Sequence, residues 1–154
     1  MNFSFEKRDH RMLYLKYTIM FALIALFMFG SYAITGHTLI WNKDALNQHV
    51  PLLGEYRKVV LGWLHHPTRP LNWWSWNMGL GTDTFQVFSY YTIGDVFAYL
   101  ALLFPAAKLT LAYQVITVVR TYFVGLTFCW FAGHFSFRDH VILGGAIVLS
   151  LIHI

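Results

Sequence analysis

The chain has 154 residues, of which 57% are hydrophobic and only 12% are charged. A soluble domain carries roughly 25% charged residues, so this deficit indicates that lipid is part of the solvent. The net charge is only +4, and Lys7, Arg8, Arg11 and Lys16 lie at the N-terminus, which excludes the spread basic patch of a nucleic-acid-binding protein. The single cysteine, Cys129, excludes a disulfide within the chain and a cysteine metal site.

The first predicted membrane span follows the basic residues 1–16, which we place in the cytoplasm. Tyr17 to Ile34 contains no charged residue, and its length is close to the roughly 20 residues that span a bilayer core. A cleaved signal peptide is the alternative, but its apolar part is shorter, about 7–15 residues, and ends at a small-residue cleavage site. We therefore predict an uncleaved helix with residue 35 onward on the outer side of the membrane.

Residues 35–83 are predicted to form an outer loop that contains amphipathic helices. From Asp44 to Leu64, apolar side chains recur at helical spacing and form one stripe. Pro51 interrupts this pattern, so we predict two short helices that meet near His49–Pro51. Two prolines within residues 65–70 end the helix, and residues 71–83 are predicted to be a loop.

Three further apolar segments complete the predicted architecture, an all-α polytopic membrane protein. Residues 84–104 are predicted to be a second span or a re-entrant segment, because polar residues such as Gln86 and Asp95 interrupt them. Residues 109–131 are predicted to be the third span. Residues 141–154 begin a fourth span that is too short to cross the membrane, so we expect residues 1–154 to be one truncated membrane region.

Four pieces of the sequence carry a family resemblance. The pieces are Trp41-Asn42-Lys43-Asp44 with Gln48, Trp74 to Asp83, Phe88-Ser89-Tyr90-Tyr91, and Leu103-Phe104-Pro105. Over roughly residues 17–145, their order and spacing resemble the N-terminal part of the YfhO-like family of bacterial membrane proteins. Members of this family resemble glycosyltransferases of the GT-C fold, which take a sugar from a polyprenyl-phosphate carrier on the outer face of the cytoplasmic membrane.

The resemblance implies that the chain is the N-terminal fragment of a GT-C-like enzyme of the bacterial cytoplasmic membrane, and that the fragment alone is inactive. The implied partners are the lipid bilayer, a polyprenyl-phosphate sugar donor and a cell-wall polymer acceptor such as lipoteichoic acid. No nucleic-acid partner is expected. Two alternatives stay open: a transporter or flippase for a lipid-linked sugar, and a non-catalytic scaffold of the cell envelope.

Asp44 is the position that matches the acidic residue in the first outer loop of GT-C enzymes. A carboxylate can accept the proton of an acceptor hydroxyl, and it can also bind a divalent metal such as Mg²⁺ or Mn²⁺. An aspartate before an apolar helical stripe is also a common helix N-cap, and the two roles are compatible. Gln48, one turn later, is predicted to bind substrate, whereas Glu55 is interpreted as part of a solvated charged surface.

Four other residues are candidates for the same site. Asp83 is predicted to be a second acid or metal ligand, with a turn or N-cap role as the alternative. Trp74 and Trp76 are predicted to stack on sugar rings, although tryptophans also anchor proteins at the membrane interface. Arg120 is predicted to attract the carrier phosphate, or else to pair with Asp95 within the membrane.

Overall fold

A computed structural model describes residues 10–135 and 137–152, and these residues are mostly helical, which confirms the predicted all-α character. They form two compact units. The first unit takes in the described parts of residues 1–39 and 117–154, and the second unit is residues 40–116. The wider GT-C architecture stays a prediction.

Long helices form the first unit: α1 (Arg11–Ile34), the later part of α4 (Leu109–Gly133) and α5 (Asp139–Ile152). Two helical stretches, Arg11–Ile34 and Ala106–Gly133, are long and apolar enough to cross a membrane, while α5 is apolar but shorter. Large apolar side chains such as Phe27 are exposed along α1, which suits a surface that faces lipid. His153 and Ile154, the end of the predicted fourth span, lie outside the described residues.

A small hydrogen-bonded cluster closes the core of the first unit. The Tyr17 hydroxyl donates to the Tyr122 carbonyl at 2.8 Å and lies 2.9 Å from the Ser150 hydroxyl oxygen. Gly125 permits this approach, because a Cβ at this position would collide with Tyr17 and Ser150. The absence of a side chain at Gly125 therefore lets three helices meet around one buried phenol.

Short elements form the second unit. A π-helical turn, Ala45–His49, continues directly into α2 (Val50–His65). The helix thus runs through the region where two separate helices were predicted, but its winding changes between His49 and Val50. Pro51 lies in the first turn of α2, where a missing N–H is tolerated best.

A small β-hairpin replaces part of the loop predicted for residues 71–83. Strands β1 (Trp74–Ser75) and β2 (Thr82–Asp83) pair antiparallel, with Trp74 opposite Asp83. The connection uses Gly79 and Gly81 at φ values of +59° and +103°, which glycine adopts without steric cost. Asp83 also ends the hairpin and begins the next helix.

Residues 84–104 form a broken helical segment rather than one long helix. It consists of α3 (Thr84–Phe88), a π-helical turn (Ser89–Ile93) and a 3₁₀-helix (Ala98–Leu103). Asp95 lies in the break, where its side chain accepts a hydrogen bond from the Phe97 N–H at 3.0 Å. The position of this segment relative to the membrane stays a prediction.

One face of α2 fixes the core of the second unit. Leu53 is buried with Ala98, Ala101 and Ile116, while Tyr56, one turn further on, is buried with Met78 and Phe88. This face holds the broken segment and the hairpin turn against α2. Other side chains of α2 border a groove.

Candidate functional site

The second unit contains an open groove of about 1210 Å³. Its walls come from the π-helical turn, α2, the hairpin connection, α3 and the start of α4. Apolar and polar side chains both contribute. The apolar lining residues include Val50, Pro51, Leu52, Leu61, Met78, Val87, Ala106 and Leu109, and the polar ones are Asn47, Gln48, Glu55, Arg57, Lys58, Asn77, Thr82 and Tyr91.

Arg57 is the partly buried cation of the groove. Its Nε donates a hydrogen bond of 2.7 Å to the carbonyl oxygen of Phe104. Phe104 follows a 3₁₀-helix and precedes Pro105, so this bond satisfies a carbonyl at a helix end. Within the part of the chain that the structure describes, the two terminal nitrogens of Arg57 have no hydrogen-bond partner, so they are available to a ligand.

Lys58 and Glu55 place one further charge of each sign on the groove. The Lys58 ammonium lies 3.8 Å from a Glu55 carboxylate oxygen, and the two side chains are 67% and 27% exposed. Such an exposed pair is weak. Glu55, interpreted from the sequence as part of a solvated surface, is therefore a partly covered wall residue of the groove.

Gln48 lines the groove, as its predicted binding role requires. The Tyr91 hydroxyl donates to the Gln48 side-chain oxygen at 3.0 Å. The ring of His49 meets the Tyr91 ring edge-on, with a centroid distance of 5.4 Å. Tyr91 thus fixes the amide oxygen of Gln48, which orients its NH₂ group for donation. Its substrate-binding role stays a prediction.

Asp44 precedes the π-helical turn and is exposed. It occupies the N-cap position, yet its side chain makes no capping hydrogen bond, so helix capping does not account for the carboxylate. Asp44 is not among the lining residues of the groove, whereas Asn47 and Gln48, three and four positions later, are. Its catalytic role stays a prediction.

The metal role predicted for Asp44 depends on oxygen atoms from elsewhere. Among residues 10–135 and 137–152, no three His, Cys, Asp or Glu side chains are grouped as metal ligands. Mg²⁺ is often bound by one or two carboxylates together with substrate phosphates. Asp44 would supply one such carboxylate, and its metal role stays a prediction.

Asp83 caps α3. Its Oδ1 accepts a hydrogen bond of 3.0 Å from the Gln86 N–H, which is the N-cap role considered from the sequence. Thr82, its neighbour in β2, lines the groove, but Asp83 is not among the lining residues. Its catalytic role stays a prediction.

Trp74 and Trp76 form an aromatic pair beside the groove. Their rings meet edge-to-face at a centroid distance of 5.4 Å, and Trp76 is 75% exposed. Both rings cover Gly81, a lining residue, since a Cβ there would come within 2.7 Å of Trp76 and 2.9 Å of Trp74. The pair thus has the exposed aromatic surface that stacking on a sugar requires.

Arg120 is exposed on the part of α4 that belongs to the first unit. The groove is lined by residues of the second unit alone. Both the predicted phosphate contact of Arg120 and its pairing with Asp95 stay predictions.

Sequence reasoning missed Arg57, Asn77 and Tyr91 as lining residues. Arg57 lies nine positions after Gln48, beyond Pro51, so only the continuity of the helix brings both to one groove. Asn77 and Tyr91 lie inside two pieces of the family resemblance, the Trp74–Asp83 piece and the Phe88–Tyr91 piece. That resemblance was the only signal for them in the sequence.

Two helices long and apolar enough to cross a membrane, joined to short, broken ones, form the pattern expected of a helical membrane protein. The family of bacterial membrane protein YfhO matches residues 17–152, and the chain belongs to this family. This confirms the resemblance and supports membrane localisation in a bacterium, in contact with the lipid bilayer. No curated protein and no solved structure matches the chain.

Proposed function

We propose that the protein containing this chain is a membrane glycosyltransferase. It transfers a sugar from a polyprenyl-phosphate carrier to a cell-wall polymer, such as lipoteichoic acid, on the outer face of the bacterial cytoplasmic membrane. The observation that carries the proposal is the groove of about 1210 Å³ with an exposed carboxylate one helical turn before its polar end. Membership of the YfhO family places this groove in a membrane protein.

The reaction needs a base, a means of positioning the sugar, and positive charge near the leaving phosphate. Asp44 accepts the proton of the acceptor hydroxyl as its oxygen bonds to the anomeric carbon of the sugar. The bond from that carbon to the phosphate oxygen breaks, and the carrier phosphate leaves with the electron pair. Gln48 binds sugar hydroxyls, Trp74 and Trp76 stack on the ring, and Asp83 is a second acid at the hairpin.

A decisive experiment replaces Asp44→Asn in the full-length protein, produced in a bacterium that lacks its own copy. We expect at least about a 100-fold loss of sugar transfer, the usual range when a general base is removed. Sugar on purified lipoteichoic acid is measured by NMR, and membrane insertion by fractionation. Asp139→Asn, on α5, is the matched control. Normal glycosylation with Asp44→Asn would overturn the proposal.

A chelation arm addresses the proposed metal role of Asp44. Membranes are assayed for transfer after EDTA treatment and again after Mg²⁺ or Mn²⁺ is restored. Loss and recovery of transfer are expected if Asp44 holds a divalent metal, which would supply positive charge near the leaving phosphate. Full activity in EDTA would remove the metal from the proposal while leaving Asp44 as the base.

The same variants separate the two alternative functions. A transporter or flippase is expected to tolerate Asp44→Asn better than Asp95→Asn, because an intramembrane carboxylate would lie in its transport pathway. A non-catalytic scaffold is expected to tolerate both substitutions. Stronger loss with Asp44→Asn than with Asp95→Asn therefore favours the glycosyltransferase over both alternatives.

A further inference from the structure

We infer that the groove of the second unit is a binding site for a lipid phosphate, with Arg57 as the contact for the headgroup. The inference deepens the proposed function and rests on it only for the polyprenyl identity of the lipid. It assigns the phosphate contact to Arg57, a residue that the sequence patterns did not single out, instead of Arg120.

The Arg57 side chain is anchored before any ligand binds. The hydrogen bond of 2.7 Å from Nε to the Phe104 carbonyl fixes the plane of the guanidinium group. The two terminal nitrogens remain for a ligand, and such a fork matches two oxygens of one phosphate. Because the arginine is already ordered, a ligand would cost little side-chain entropy on binding.

The charge of the lining residues favours an anionic ligand. Arg57 and Lys58 are cations, and Glu55 is the one carboxylate in the lining that the structure describes. Asp44 and Asp83 are not lining residues. The balance is positive, and Lys58 is held to Glu55 only weakly at 3.8 Å, so it can turn to an incoming anion.

The apolar wall of the groove favours a lipid over free phosphate. Val50, Leu52, Leu61, Met78, Val87 and Leu109 line the same groove as the two cations. The volume of about 1210 Å³ exceeds the range of roughly 300–1,000 Å³ that holds drug-sized ligands. Inorganic phosphate would leave this wall uncovered, whereas the first units of a lipid chain would bury it.

The test measures binding of a polyprenyl phosphate to the purified full-length protein in lipid nanodiscs by native mass spectrometry. The matching polyprenol, which lacks the phosphate, and inorganic phosphate are the comparison ligands. We expect polyprenyl phosphate to bind at least about tenfold more tightly than either, since both the charged headgroup and the chain contribute. Equal binding of polyprenol, or of inorganic phosphate, would overturn the inference.

Two variants locate the site. Arg57→Lys keeps the charge but loses the fork and the Phe104 contact, and should weaken binding at least about tenfold. Lys58→Glu reverses an exposed charge, so it should fold normally and still weaken binding severalfold. Arg69→Glu makes the same charge reversal on an exposed residue outside the groove and should have no effect.

Unchanged binding with Lys58→Glu would overturn the inference even if Arg57→Lys failed to fold. Arg120→Lys as the single variant that abolishes binding would also overturn it. Failure of the proposed function looks different. Lipid-phosphate binding by a wild-type protein that transfers no sugar would refute only the enzyme.

Discussion

The two units of the chain satisfy their polar groups in different ways. In the first unit, hydroxyls bond within the helices and their core: Tyr17 donates to the Tyr122 carbonyl, and Thr121 donates to the Thr117 and Val118 carbonyls. In the second unit, polar side chains such as Gln48 of the π-helical turn and Arg57 of α2 line an open groove. A long apolar stretch without interruption therefore forms helices whose hydroxyl groups are satisfied within the helices and their core. A stretch that polar residues interrupt leaves polar side chains on a surface that can bind a ligand.

The largest expected effect is on the first unit, where Gly125→Ala should lower the free energy of unfolding by about 2–4 kcal/mol. The new methyl group would collide with Tyr17 and Ser150, and the cost combines overpacking with a strained buried hydrogen bond. Unfolding by SDS in mixed micelles, followed by circular dichroism, measures the change.

Gly144→Ala is the matched control for this prediction. It also adds one methyl group to a helix of the first unit, but no atom lies within 4 Å of the added Cβ. The stability should equal that of the wild type or rise by up to about 1 kcal/mol, because alanine favours a helix interior more than glycine does. Equal losses of unfolding free energy for the two variants would show that the cluster around Tyr17 does not stabilise this unit.

The second expected effect is on the second unit, where Gly81→Ala should cost about 1–3 kcal/mol. The residue has a φ of +103°, which strains any residue with a side chain. Its Cβ would also displace the rings of Trp74 and Trp76. Tryptophan fluorescence should change, and hydrogen exchange should quicken in residues 71–83.

Gly79→Ala separates the effect of backbone strain from the effect of contact with the tryptophan rings. Gly79 also has a positive φ, but no atom lies within 4 Å of its added Cβ. Only the left-handed backbone cost of roughly 1–2 kcal/mol is expected, without the change in fluorescence. A fluorescence change of the same size in both variants would contradict the packing of the two tryptophans on Gly81.

The long helices were predictable from the sequence because a long run of uncharged, mostly apolar residues determines them. The eighteen uncharged residues of the first predicted span lie within α1, which begins six residues earlier, at Arg11. Residues 84–104 were harder, because their composition is almost as apolar. Their break at Gly94 and Asp95 depends on local hydrogen bonds, such as that from the Phe97 N–H to Asp95, which hydrophobicity does not encode.

The candidate site was only partly predictable for a similar reason. Gln48 was selected because it follows Asp44 by one turn, and it does line the groove. No sequence pattern singles out Arg57, and its neighbour Glu55 is interpreted from the sequence as part of a solvated charged surface. The contact of Arg57 with the Phe104 carbonyl joins residues 47 positions apart, a distance at which no local pattern gives a signal.

A smaller effect is expected at alkaline pH from Tyr56, which is only 3% exposed. Burial raises the pKa of its phenol above the ordinary value of 10.0, and the neighbouring Tyr99 hydroxyl adds to the rise. Above pH 10 the unfolded chain ionises first and binds fewer protons, so the stabilising contribution of Tyr56 falls as the pH rises.

Tyr56→Phe removes this titration. The stability advantage of the wild type over the variant should therefore shrink above pH 10, by at most about 1.4 kcal/mol per pH unit. Denaturation at several pH values between 8 and 11 measures it. Parallel stability curves for the two proteins would show that Tyr56 is not held in a protonated, buried state.

The smallest expected effect on stability comes from Glu55→Gln, below about 0.5 kcal/mol, because its pair with Lys58 is exposed and long. Glu55→Gln is compared with Asp44→Asn, because both variants remove a carboxylate. Removal of the one carboxylate in the described lining should tighten lipid-phosphate binding, while sugar transfer should persist. A loss of transfer as large as that of Asp44→Asn would instead make Glu55 the base, since it lines the groove that Asp44 only precedes.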